Sequence, residues 1–203
     1  MVAGSCGDNS MRAIAFLIVA VALGACVQRE GPTRPQGAGD ACTRNATHTV
    51  TWSSQDAPDM ISAISEGPSC AQAVVTLVVR NADGDPLWVF ANTYHDLHTG
   101  GVAPPGIAPP AVTVEEMEKF LQSFANVTAM QSGQLPHWTD GAPGPADASR
   151  PFHYSTAYQR DTYEALRASN RPLICYAAAA EATQCLIMDR ASNSAAIVVA
   201  FGP

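Results

Sequence analysis

The sequence predicts an α+β fold, in which an antiparallel sheet built from hairpins carries one longer and one shorter helix on one face. Runs rich in β-branched residues lie early and late in the chain, and two amphipathic helical patterns lie between them. This order of elements is typical of the α+β class. The 203 residues are enough for a single domain with one core.

The early strands are predicted from alternation and from turn chemistry. Residues 47–53 alternate threonines with larger side chains, which indicates a half-buried strand. Residues 73–80 and 87–94 form two apolar runs separated by Asp83-Gly84, a pair that favours a hairpin turn. Pro86 lacks an N–H group and is therefore expected at the start of the second of these strands.

The two helices are predicted from capping signals. Thr113 and Glu116 form a capping box ahead of residues with helical spacing, which are Val114, Met117, Phe120, Leu121 and Phe124. A shorter helix is predicted over residues 161–169, where Asp161 and Glu164 repeat the capping pattern. After it, the apolar runs 172–177 and 183–188 predict a hairpin, and residues 195–201 predict a last strand.

The N-terminal region carries an export pattern. Arg12 precedes ten apolar residues, a run too short to span the ~30 Å of bilayer hydrocarbon. It ends in Leu23-Gly24-Ala25-Cys26, which resembles the lipobox of bacterial lipoproteins at all four positions. The resemblance implies transfer of diacylglycerol to the Cys26 thiol, cleavage before Cys26 and acylation of the new N-terminus. Met11 is the more natural start of this signal peptide.

The resemblance implies a division of the chain into three parts. Residues 1–25 are expected to be the signal peptide, and residues 26–40 the lipidated cysteine with a flexible tether rich in Pro and Gly. Residues 41–203 are then a single envelope domain, lipid-anchored and facing the periplasm. Val27 follows the anchor where an Asp often retains lipoproteins at the inner membrane, so it favours the outer membrane.

Composition restricts the partners. The net charge is −7 and Lys119 is the sole lysine, so a surface for nucleic acid is not expected. The lipid anchor is expected to attach the domain to the membrane. An envelope protein or a glycan is the other expected partner. No cofactor is expected.

Four cysteines remain for the exported domain, and in an oxidising compartment they are expected to form two disulfides. Cys175 and Cys185 lie on the two arms of the predicted C-terminal hairpin, where opposite residues suit a bridge. Cys42 then pairs with Cys70. A zinc site is the competing interpretation, but no C-x-x-C spacing occurs.

No catalytic residue is predicted. The sequence lacks a G-x-S-x-G nucleophile motif, and the cysteines are assigned to disulfides. A metal-dependent hydrolase is the alternative, with His95 and His98 as ligands beside His137 or His153. That site needs residues 94–98 to be helical, whereas their position after a strand predicts an extended chain with His95 and His98 on opposite faces.

A binding role is the leading hypothesis. Two connections, residues 99–112 and 131–151, are unusually long for a compact domain, and such loops are often functional. Three aromatic residues in or near the second loop are candidate partner-binding residues: Trp138, Tyr154 and Tyr158. The sequence therefore predicts a non-enzymatic domain that binds a protein or a glycan through its long loops.

Overall fold

The computed structural model describes residues 42–100, 106, 110–150, 152–189 and 191–203. The expected signal peptide, the lipidation site Cys26 and the tether lie outside the described residues. Within the described part of the chain, no helix is long and apolar enough to cross a membrane.

The first sheet contains four antiparallel strands in chain order: β1 (Arg44–Val50), β2 (Asp59–Glu66), β3 (Val74–Arg80) and β4 (Pro86–Thr93). The Asp-Gly turn joins β3 to β4 as predicted, and Pro86 is the first residue of β4. Gly84 has a φ of +89° in this turn, a conformation that costs glycine little.

The second sheet contains five antiparallel strands in the order β5-β7-β8-β9-β6. Its centre is the predicted hairpin of β7 (Pro172–Ala179) and β8 (Ala182–Asp189), followed by β9 (Ser194–Gly202). Two short strands form its edges, β5 (Thr128–Gln131) and β6 (His153–Ser155).

Three α-helices accompany the sheets: α1 (Tyr94–His98), α2 (Val114–Ala125) and α3 (Arg160–Ala168). The capping box of α2 is formed as predicted between Thr113 and Glu116. Helix α3 begins one residue before the predicted start and ends one residue before the predicted end.

The buried side chains form two hydrophobic clusters. The first cluster joins the inner face of the first sheet, helix α2 and one face of the second sheet, with Leu77, Leu121 and Ile174 at its centre. The second cluster lies on the opposite face of the second sheet beneath α3 and includes Leu173 and Tyr163. The alternation of Leu173 and Ile174 between clusters follows from the two-residue period of a strand.

The structure confirms the α+β class, the antiparallel pairing and both disulfides, Cys42–Cys70 and Cys175–Cys185. The strands divide between two sheets instead of forming one, and α2 and α3 belong to different clusters. The first strand runs over Arg44–Val50 instead of residues 47–53. The separation of α2 and α3 into different clusters has a simple cause. The second sheet is apolar on both faces, so each face needs its own layer of packed secondary structure.

Candidate functional site

Residues 94–98 form helix α1, so the expectation of an extended chain there is wrong. The hydroxyl of Thr93 accepts a hydrogen bond from the Asp96 N–H (3.1 Å) and caps the helix. The helix places His95 and His98 three residues apart on neighbouring positions of one face.

The four histidines of the metal hypothesis are not gathered at one point. His95 and His98 belong to α1, whereas His137 contacts Glu164 of α3 and His153 lies on edge strand β6. Across residues 42–203, leaving out the few that the structure does not describe, no group of three or more His, Cys, Asp or Glu side chains could hold a metal ion. Nothing in this geometry assigns a metal-dependent reaction to these histidines.

His137 instead joins a cluster that ties the second long loop to α3. The carboxylate of Glu164 accepts hydrogen bonds from the Trp138 N–H (2.7 Å) and from Arg167 Nη1 (2.7 Å), and it lies 2.8 Å from His137 Nδ1. Desolvation raises the pKa of Glu164, but these hydrogen bonds outweigh it and the net pKa is lowered. The cluster therefore holds an ionised carboxylate whose partners all come from the protein itself.

The three aromatic residues proposed to bind a partner are each partly buried against the second hydrophobic cluster. Trp138 packs edge-on against Tyr163 and donates its indole N–H to the Ala142 carbonyl (2.9 Å). Tyr154 packs against Phe201, with ring centroids 5.3 Å apart. The structure thus gives Trp138 and Tyr154 packing roles at separate places and does not unite them in one ring cluster.

A groove between α1 and α2 is the candidate binding site in the described part of the chain. We define the α1–α2 groove as two adjoining cavities, of about 250 and 440 Å³, that share Tyr94, His98 and Glu116 as walls. Its other walls come from the 3-10 turn Cys70–Gln72, from α1, from both ends of the first long loop and from α2. These wall residues are Ala71, His95, Thr99, Pro110, Ala111, Val112, Lys119, Phe120 and Ser123.

Three rings form the floor of the groove. Tyr94 stacks on His98 with centroids 5.1 Å apart and meets Phe120 edge-on at 4.9 Å. Tyr94 is buried, whereas His98 is exposed. The Tyr94 N–H donates to the Ala73 carbonyl (2.9 Å), which ties the start of α1 to the residue before β3. The three rings therefore line the groove with aromatic contact surface.

Glu116 is the charged group at the rim. Its Oε2 accepts hydrogen bonds from the Thr113 N–H (2.8 Å) and the Thr113 hydroxyl (2.9 Å), and these bonds lower the pKa of Glu116. Lys119 and His98 lower it further. Burial, and then the charge of Glu116, raises the pKa of the Tyr94 hydroxyl. Near neutral pH the groove thus presents a carboxylate and a neutral phenol.

These residue types suit binding better than bond cleavage. The carboxylate of Glu116 is held ionised by its cap, so it accepts hydrogen bonds and attracts positive charge but is poorly placed to carry a proton at neutral pH. The floor rings and the Pro110–Val112 wall offer apolar contact. The groove can therefore hold an apolar group that carries a nearby cation or hydrogen-bond donor.

One buried carboxylate outside the groove has a structural role. Asp59, at the start of β2, is only 1% exposed. It accepts hydrogen bonds from the backbone N–H groups of Trp52 (3.1 Å) and Ser53 (2.7 Å) and from the Ser53 hydroxyl. These bonds close the β1–β2 connection and leave Asp59 no role at the groove.

The sequence patterns indicate the groove residues only in part. His95 and His98 are candidate ligands in the sequence, while Glu116 is predicted only as a helix cap and Phe120 only as part of a core stripe. The pattern Thr93-x-x-Asp96 is itself a capping signal, and it would have predicted α1 and hence the stacking of Tyr94 on His98.

The comparisons with known proteins give no identity for this fold. No family model, no curated protein and no solved structure matches the chain.

Proposed function

We propose that the chain is a lipid-anchored bacterial envelope protein whose domain is a non-enzymatic binding module, with the α1–α2 groove as its binding site. The anchor is supported by the lipobox-like Leu23-Gly24-Ala25-Cys26, and the envelope by two disulfides in one domain, which persist in oxidising compartments. Val27 favours the outer membrane as the site of anchoring.

The binding role depends on one observation, the ring floor of the groove beside the ionised Glu116. Apolar walls with a few fixed polar groups are the usual composition of a binding site. The groove also borders the first long loop through Thr99 and residues 110–112, which fits the hypothesis that the long loops serve recognition.

The chemistry of the groove favours a ligand of one kind. An apolar side chain would pack on the exposed ring of His98 and the partly exposed ring of Phe120, and an adjacent Lys or Arg would approach Glu116. The net charge of −7 attracts such a ligand at longer range. We therefore propose an envelope protein as the partner, reached through a segment that pairs an apolar with a basic residue.

The first test fills the groove without removing any of its contacts. Ala111 is an exposed wall residue, so Ala111→Trp would place an indole in the cavity, and Ala148→Trp adds the same indole at an exposed site elsewhere. Synthetic peptides that contain one Arg beside Leu are the probes. We expect Ala111→Trp to weaken peptide binding at least tenfold and Ala148→Trp to leave it unchanged.

A second test looks for the partner in cells. A photo-reactive phenylalanine analogue at position 111 is expected to cross-link one discrete envelope protein, and the same analogue at position 148 is expected not to. Identical cross-linking patterns at both positions, together with no peptide binding by the unaltered chain, would refute the groove as the recognition site.

A further inference from the structure

In the part of the chain that the structure describes, the outer face of the first sheet carries exposed side chains on all four strands. We define this face by the outward side chains that the strand register aligns: Asn45, Thr47 and Thr49 of β1; Met60, Ser62, Ile64 and Glu66 of β2; Val74, Thr76, Val78 and Arg80 of β3; and Val89, Ala91 and Thr93 of β4. Met60, Val74 and Val89 are 42%, 46% and 57% exposed. These three exposed apolar side chains lie on three different strands of one face, and apolar surface shared in this way favours an interaction surface.

This face carries two charged residues, and their charges are of opposite sign. Glu66 ends β2, where it is opposite Val74, and Arg80 ends β3 at the other edge of the face, where it is opposite Met60. Every other outward residue is apolar or carries a neutral polar group. Among the described residues neither charge has an ion-pair partner, and Arg80 donates to the Gly84 carbonyl (2.9 Å).

The position of these charges points to a second copy of the chain as the occupant. Consider a two-fold axis that lies in the interface plane at right angles to the strands. It places each strand over the same strand of the second copy, with the two running in opposite directions. Glu66 of one copy then lies beside Arg80 of the other, and the pair occurs twice. An axis parallel to the strands would instead bring Glu66 near Glu66 and Arg80 near Arg80. We propose that two copies pack through this face with the first arrangement.

The dimensions of the face fit a modest homodimer. Four strands ~4.8 Å apart, each about seven residues long at ~3.3 Å per residue, cover a flat footprint of roughly 440 Å². Because side chains project from this plane, the accessible area is larger than the footprint. It approaches the low end of the ~600–1,000 Å² that each partner buries in a specific interface. Glu and Arg side chains together span the ~10 Å between packed sheets. The dimer is therefore expected to dissociate on dilution.

The chain's own tether is a poorer occupant. Residues 27–40 contain Val27 and Ala38 as their apolar residues, beside two prolines and three glycines. A segment of this composition has little to bury against Met60 and Val89. The second copy supplies the same exposed apolar side chains, Met60, Val74 and Val89, which the tether lacks.

Sedimentation equilibrium of the full chain in a density-matched detergent tests the proposal at up to roughly 100 μM, a range in which micromolar dimers form. We expect the unaltered chain to dimerise and Val89→Arg to be monomeric. The matched control Ala148→Arg adds the same charge at an exposed site off this face and is expected to dimerise normally. A monomeric unaltered chain, or equal dimerisation of Val89→Arg, overturns the proposal.

Charge reversal tests the orientation of the two copies. Each reversal acts at two symmetric sites, so Glu66→Arg alone and Arg80→Glu alone are each expected to raise the dissociation constant about tenfold. The double variant Glu66→Arg/Arg80→Glu restores opposite charges and is expected to return close to the original constant. A double variant that dimerises no better than the single ones contradicts the arrangement.

Discussion

Cys175 and Cys185 lie directly opposite each other in the β7–β8 ladder and are joined by a disulfide, with their Cα atoms 4.0 Å apart. The bridge crosses the centre of the second sheet, where Cys185 is fully buried and Cys175 nearly so. The second bridge, Cys42–Cys70, fixes the residues before β1 to the 3-10 turn before β3. The two disulfides thus stabilise different sheets.

Replacing each disulfide by alanines is expected to destabilise the fold by different amounts. In the chain-entropy model the 28-residue separation of Cys42 and Cys70 contributes about 3.6 kcal/mol, and the 10-residue separation of Cys175 and Cys185 about 2.7 kcal/mol. Urea unfolding of the two double variants measures both losses. Unfolding midpoints equal to that of the parent chain would show that the bridges do not stabilise this fold.

The capping box of α2 should make stability depend on pH. Because the folded pKa of Glu116 is lowered below its ordinary value of 4.5, its contribution is present above pH 4.5 and is lost as the pH falls through the folded pKa. Thr113→Ala removes the cap, with an expected loss of about 1 kcal/mol at pH 7. It also removes the hydroxyl hydrogen bond to Glu116, one of the two bonds that lower the pKa of Glu116, whereas the backbone N–H of residue 113 remains.

Unfolding curves of the parent chain and of Thr113→Ala between pH 3 and pH 7 test this coupling, with pH values chosen to bracket the ordinary Glu pKa of 4.5. The difference in unfolding free energy is expected to shrink as the pH falls. A difference that stays constant over the whole range would mean that Glu116 is not coupled to the cap.

Glu164→Gln is expected to destabilise the second long loop. The substitution keeps an acceptor for the Trp138 N–H but removes the charge that Arg167 and His137 face. Since Glu164 is about a quarter exposed, we expect a loss of about 1 kcal/mol. Glu115→Gln is the control, because its exposed pair with Lys119 should contribute less than ~0.5 kcal/mol. Equal effects of both changes would refute a special role for Glu164.

Trp138→Ala separates a packing role from a binding role. The change removes the contact with Tyr163 and the hydrogen bond to the Ala142 carbonyl, so we expect about 2 kcal/mol of destabilisation. Peptide binding at the α1–α2 groove is expected to stay within twofold of the parent at temperatures where both chains are folded. If the variant is as stable as the parent but no longer binds the peptide, Trp138 has a binding role and not a packing role.

Local sequence signals predicted the elements that local interactions stabilise. The capping box of Thr113 and Glu116, the Asp-Gly turn and the pairing of Cys175 with Cys185 each involve residues close in the chain, and each is present. The α1 helix has such a signal in Thr93 and Asp96 as well, although the preceding strand predicted an extended chain there.

The elements that were not predicted are stabilised by distant residues. Strand β2 carries apolar side chains on both faces, with Ile61 inside and Met60 outside, so it shows no clear alternation. Strands β5 and β6 have four and three residues and exist only because β7 and β9 supply their hydrogen-bond partners. The α1–α2 groove brings together residues 71–123, an arrangement that no single segment encodes.

The lipid anchor is tested most directly by the mass of the mature N-terminus. The chain is expressed in a Gram-negative host, purified from membranes and digested, and the N-terminal peptide is analysed by mass spectrometry. We predict a peptide that begins at Cys26 and carries a diacylglyceryl group and an amide-linked acyl chain, whereas Cys26→Ser yields neither cleavage nor lipid. An unmodified cysteine, or a chain cleaved elsewhere and free of fatty acid, would contradict the account.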